Sequence, residues 1–238
     1  GAVPSDGFGR YVDMASSPNT IAMSDEANDS IHIVYGYDCG GGDFWDNNFY
    51  EASNIDTETI SMPGDDIGKY GFKLSGDGGS IIVQQQYELN GSQTSLVRVF
   101  DRQGDGSWSQ VGADITNFTY AGREAIDINN DGSMIAIGSA DGYVHVLQKV
   151  NNAWTDYVTP FNTNNAEQKD DVSTTTRTSL RSLKMSYDTN VLAIDDGTGC
   201  LDIQEYSSSS SAYLYYGEVC SESDAAYIDM IHSNKGTN

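Results

Sequence analysis

The chain has 238 residues and sets 12 Lys and Arg against 35 Asp and Glu, a formal charge of −23. That charge repels phosphate backbones and anionic surfaces, so nucleic acid is excluded as a partner. No apolar run approaches the ~18 to 20 residues of a membrane span, which excludes membrane insertion by a helix.

An apolar-polar-apolar triplet, followed by a second apolar cluster, recurs along the chain. Its first copy is Val12-Asp13-Met14 with Ile21-Ala22-Met23, and its second is Phe72-Lys73-Leu74 with Ile81-Ile82-Val83. The third is Ile126-Asp127-Ile128 with Ile135-Ala136-Ile137, and the fourth is Leu183-Lys184-Met185 with Leu192-Ala193-Ile194. A fifth opens at Ile228-Asp229-Met230. Successive triplets lie 60, 54, 57 and 45 residues apart, the size of one supersecondary unit. Turn residues such as Gly76-Asp77-Gly78-Gly79 and Asn130-Asp131-Gly132-Ser133 separate triplet from cluster, so the two form a hairpin.

Period-two alternation then marks a third strand in each repeat, at Ile31-His32-Ile33, Val97-Arg98-Val99, Val144-His145-Val146 and Leu201-Asp202-Ile203. An aromatic residue opens a fourth strand, at Trp45, Trp108, Trp154 and Tyr213 in turn. A tryptophan at one fixed repeat position predicts packing between repeats more than ligand stacking. The fold class is therefore all-β: a β-propeller of four-stranded antiparallel blades, with four repeats and the start of a fifth, either whole or a segment of a larger ring. Residues 1–238 read as a single propeller domain or segment, with repeats at about 8–66, 67–119, 120–178 and 179–224 and a partial one at 225–238. Gly1 in place of Met, and the fifth repeat begun before Asn238, suggest a piece of something longer.

The stretch from Val97-Arg98-Val99-Phe100 to Trp108-Ser109-Gln110-Val111-Gly112-Ala113-Asp114-Ile115 resembles repeats of secreted β-propeller proteins of algae and marine bacteria. Phe8-Gly9-Arg10-Tyr11-Val12 and Ile67-Gly68-Lys69-Tyr70 are similar to the start of FG-GAP repeats, and Ile135 to Leu147 is similar to a WD-repeat hairpin. The fourth repeat departs from the pattern at Ser179-Leu180-Arg181-Ser182. The resemblance implies an adhesive, scaffolding or receptor module and names no ligand.

Several residues are candidates for chemistry. Asp127, Asn129 and Asp131 read as Asp-x-Asn-x-Asp-Gly, whose oxygens suit calcium, although Ile135 and Gly138 stand where the closing ligands of such a loop belong. A plain hairpin turn is the stronger reading there, and no other cofactor is implied. His32 and His145 share a repeat position with Arg98 and Asp202, which marks a polar strand face and not a ligand set. Sequons at Asn28, Asn90 and Asn117 fall between strands and are expected on exposed loops; the Ser and Thr runs at 173–176 and 207–211 read chiefly as loops. Cys200 and Cys220 sit symmetrically about Ser209, so antiparallel pairing predicts a disulfide between them, leaving Cys39 unpaired or linked elsewhere. The triplet middles Asp13, Lys73, Asp127, Lys184 and Asp229 alternate in sign, which predicts inter-blade ion pairing around the ring.

No nucleophile-base order, Cys-x-x-Cys, Walker loop or zincin motif is present. The sequence therefore points first to a non-enzymatic extracellular scaffold that binds protein or glycan at the cell surface, with self-assembly into a fibre or coat. The alternative is a secreted propeller enzyme acting on polysaccharide through acidic residues.

Overall fold

A computed structural model of the protein describes residues 7–16, 20–35, 56–63, 66–89, 92–116, 118–119, 125–162, 180–195 and 200–220. Four antiparallel sheets follow one another along the chain. The first holds β1 (Phe8–Met14), β2 (Thr20–Asp25), β3 (Ser30–Tyr35) and β4 (Asp56–Ser61); the second holds β5 (Phe72–Leu74), β6 (Ser80–Leu89), β7 (Ser92–Arg102) and β8 (Trp108–Gln110). The third holds β9 (Ile126–Ile128), β10 (Met134–Gly138), β11 (Tyr143–Val150) and β12 (Ala153–Asp156), with β13 (Phe161–Asn162) pairing the start of β11. The fourth holds β14 (Ser182–Met185), β15 (Val191–Asp195), β16 (Cys200–Ser207) and β17 (Ala212–Cys220). In each sheet the strands lie side by side in chain order, the up-and-down meander of a propeller blade. Among the described residues there is no α-helix, and hence none able to cross a membrane.

Each triplet is the innermost strand of its blade, and the innermost strands of successive blades pack on one another. Register pairs Ile126 with Ile137, Asp127 with Ala136 and Ile128 with Ile135. Because side chains alternate across a strand, the outer members of a triplet face the preceding blade while the middle member faces the next. The apolar clusters show this division. Phe72, Leu74, Ile81 and Val83 meet Ala22, Ile31 and Ile33 at the first seam. Ile126, Ile128, Ile135 and Ile137 meet Ile82, Val97 and Val99 at the second. Leu183, Met185, Leu192 and Ile194 meet Ala136, Val144 and Val146 at the third. Each such aliphatic side chain contributes roughly 1.5–3 kcal/mol on full burial, so the seams carry most of the apolar stabilisation. On the first blade the equivalent face has no preceding blade among the described residues, and Val12 and Met14 are 54% and 67% exposed where Leu74 and Ile128 are 5% and 1%.

The turn between the first two strands is built alike in three blades. Ser75 Oγ accepts the Ser80 N–H at 2.9 Å and Asp77 Oδ1 accepts the Gly79 N–H at 2.9 Å. Asn129 Oδ1 and Asp131 Oδ1 do the same for the Met134 and Ser133 N–H groups, at 3.0 Å each. Ser186 Oγ and Asp188 Oδ1 do so for Val191 and Asn190, at 2.9 and 3.2 Å. These side chains close the hairpin where the ladder cannot. Gly132 has φ +68°, and a Cβ there would fall 2.2 Å from Ser80 Oγ of the preceding blade, so both backbone and space require glycine.

One expected strand start differs. The fourth strand of the first blade begins at Asp56, where Ile60 pairs with Ile31 and faces the seam, and not at Trp45. Ile60 supplies the apolar contact of this strand, and Trp45 lies outside the described residues.

Candidate seam cleft

The proposed calcium ligands do not converge. Asn129 and Asp131 are occupied in closing their turn, and Ser133 Oγ also donates to Asp131 Oδ1 at 2.5 Å. Asp127 points elsewhere: its Oδ2 accepts the Met185 N–H of the next blade at 2.6 Å. The three side chains thus accept from separate donors, Asn129 and Asp131 in the hairpin turn, and among the described residues no cluster of three or more His, Cys, Asp or Glu could hold a metal.

Among the alternating charges, Asp13 Oδ2 accepts the Leu74 N–H at 2.7 Å, the same bond at the first seam as Asp127 to Met185 at the third. Burial pushes the Asp127 carboxyl above its ordinary range, against the opposing fields of Lys184 and Lys73 and the Met185 N–H. Asp13 and Asp127 therefore tie one blade to the backbone of the next, a role that sign alternation alone did not disclose. Asp229 lies outside the described residues, as do Cys39, Asn90, Asn117 and the 173–176 run. Cys200 is disulfide-bonded, and the residue opposite it across the β16–β17 ladder is Cys220. Asn28 is exposed as the last residue of a short 3-10 turn, with its Nδ2 donating to Asp25 Oδ2 at 2.8 Å. Asp25 Oδ2 also meets His32 Nε2 at 3.2 Å. The 207–211 run forms the β16–β17 turn, with Ser211 at φ 53°.

The two described tryptophans pack at seams, Trp108 between the first and second blades and Trp154 between the second and third. Their polar edges differ. Trp108 Nε1 donates to Glu58 Oε2 at 2.8 Å. That carboxylate also accepts from Tyr35 Oη at 3.0 Å and from Arg102 Nε at 3.0 Å and Nη2 at 2.5 Å, closing the first seam. Trp154 Nε1 is buried and has no hydrogen-bond partner among the described residues. At this seam β8 runs out at Gln110 and the chain passes through Gly112, where a Cβ would lie 3.6 Å from Trp154 Cδ1.

A cleft of about 490 Å³ opens there, lined by Asp114, Ile115 and Thr116 of the second blade and Leu147, Trp154 and Asp156 of the third, with Ala113, Ala153 and Thr155 at its edge. Asp114 is held by Arg98, whose Nε and Nη2 donate to Oδ1 and Oδ2 at 2.8 and 3.0 Å, and by Gln110 Nε2 at 2.9 Å. Those bonds, chiefly from Arg98, keep its carboxyl below the usual range despite burial. Asp156 pairs with Leu147 across the ladder, and its charge acts on His145, two residues along β11. Burial pushes the His145 imidazole down, outweighing the fields of Asp156 and Asp141, so it is neutral at pH 7. The cleft lining thus brings together Trp154, whose N–H has no partner among the described residues, the fixed Asp114 carboxylate and Asp156, whose charge acts on the neutral His145. Sequence reasoning placed His145 and Trp154 correctly on their strands but assigned neither to a site.

No family model matches the sequence, and no curated protein matches it. Solved structures do. A Lactobacillus plantarum protein superimposes with a TM-score of 0.57 at 13% identity, over 92% of this chain and 58% of its own. Proteins of Bacteroides uniformis and Bacteroides fragilis, each described as a "putative 6-phosphogluconolactonase", superimpose with TM-scores of 0.56 at 13% and 15% identity, over 88% of this chain. The chain spans 58%, 55% and 54% of these three structures. None of the three is described as a secreted repeat protein of algae or marine bacteria, and nothing in them supports a fibril or adhesive role. The expectation of a non-enzymatic scaffold is corrected by these neighbours, two of which carry an enzyme's description; the acidic-residue enzyme fits them better. At such identities the likeness establishes the fold: the chain is a β-propeller.

Proposed function

We propose that the chain is part of a propeller hydrolase that acts on a carbohydrate substrate, opening a sugar ester or lactone in the cleft between the second and third blades. The observation that carries this reading is that Asp156 and Trp154, whose buried N–H has no partner among the described residues, line one cleft. Hydrolysis of an ester requires a base for water and a donor for the developing oxyanion. Asp156, beside neutral His145, takes a proton from water as its oxygen adds to the carbonyl carbon; the C–O bond to the leaving oxygen then breaks and that oxygen takes the proton back. The Trp154 N–H donates to the carbonyl oxygen as negative charge grows on it. Asp114, clamped by Arg98, keeps its geometry and orients hydroxyl groups by accepting from them.

The neighbours described as lactonases favour this bond type. The disulfide at Cys200 supports an oxidising, extracellular setting. The test is a turnover screen of sugar lactones and acetylated oligosaccharides by pH-stat. Acid release that is lost in Asp156→Asn supports the reading, and no acid release above the buffer rate from any substrate overturns it.

A further inference from the structure

Resting on that hydrolase reading, we infer that the cleft selects an uncharged, unphosphorylated sugar, recognised by an oxygen that accepts the Trp154 N–H. The two tryptophan seams make the argument. At the first, a carboxylate of the preceding blade, Glu58, fills the position beside the indole N–H, with Arg102 neutralising it. At the second, no acceptor stands there among the described residues, and Trp154 lines a cleft. A buried donor without a partner costs free energy that a ligand oxygen recovers, so the missing acceptor is the recognition feature.

The charge around the cleft decides which oxygen fits. Among the described residues its lining contains Asp114 and Asp156 and no Lys or Arg. The nearby guanidinium, Arg98, has Nε and Nη2 on Asp114 and Nη1 on Gln85 at 3.0 Å. A phosphate group would meet two carboxylates with no cation among the described lining residues to receive it, in a chain whose formal charge is −23. Thr116 and Thr155 offer hydroxyls that serve as donor and acceptor alike, the complement of sugar hydroxyls. Leu147 and the indole give an apolar wall for a pyranose face.

The experiment titrates the full chain with gluconolactam, a non-hydrolysable neutral lactone analogue, and with its 6-phosphate, while recording indole N–H resonances assigned with Trp154→Phe. The neutral lactam is expected to move the Trp154 resonance at a concentration at least tenfold below that needed for the phosphate. Thr155→Lys, which places a cation at the exposed edge, is expected to narrow or reverse that preference. Equal or tighter binding of the phosphate by the native chain overturns the inference and leaves the hydrolase reading intact. Lactone turnover with an unmoved Trp154 resonance overturns the inference and the choice of cleft. Absence of both turnover and binding overturns the hydrolase reading itself.

Discussion

Asp127 of the third blade accepts the backbone N–H of Met185 in the fourth at 2.6 Å, and Asp13 of the first blade does the same for Leu74 of the second at 2.7 Å. One carboxylate per alternate blade thus anchors the next blade's innermost strand. Asp127→Ala leaves that buried N–H unpaired and is expected to lower stability by about 2–3 kcal/mol, read as a shift in urea midpoint. An unchanged midpoint would show that the bond is incidental.

The same residue predicts a pH dependence. Its carboxyl is raised in the folded state, so it holds a proton more tightly there than in the unfolded chain. Ionising it therefore weakens the fold as pH rises from the unfolded value near ~4 through the higher folded value. Asp127→Asn keeps an acceptor for Met185 and does not titrate. Its stability relative to the native chain is expected to increase with pH across that window; a difference that is flat from pH 3 to 8 would refute the assignment.

Glu58 behaves oppositely. Burial opposes its ionisation, but Arg102, Trp108 and Tyr35 together hold its carboxyl below the ordinary range. Its contribution is present above the unfolded value and is lost as pH falls through the folded one. Glu58→Ala strips the first seam of its shared acceptor and should cost about 2–4 kcal/mol at pH 7. Guanidinium unfolding of both chains at pH 7 and pH 3 checks this: the two should converge at acid pH.

Gly132→Ala tests how closely the turns nest between blades. A positive φ and a 2.2 Å approach to Ser80 Oγ act together, so a loss of about 1–3 kcal/mol is expected. A melting temperature equal to the native one would show that neither constraint is real.

The blade order was legible in the sequence because the triplet and its cluster repeat with a period-two pattern, and that pattern is what forms the seams at Ile126, Ile128, Ile135 and Ile137. The Asp-x-Asn-x-Asp-Gly motif reads two ways for a local reason. Asx side chains that could ligate a cation also close hairpins, and Ser75 and Ser186, which close theirs the same way, were the available clue. The cleft was not legible. Trp108 and Trp154 occupy one repeat position, and they differ through Glu58, a residue 50 positions before Trp108 that has no counterpart on Trp154 among the described residues. Spacing along the chain does not report which partner a neighbouring blade supplies.

Steady-state hydrolysis of a neutral sugar lactone by the native chain and by Trp154→Phe tests the central claim most directly, with thermal melting to confirm that both are folded. Phenylalanine keeps the apolar wall and removes only the N–H donor, so kcat is expected to fall by about 10²-fold or more with KM little changed. Equal kcat values in two folded proteins would contradict the account, because the orphaned donor would then play no part in the chemistry.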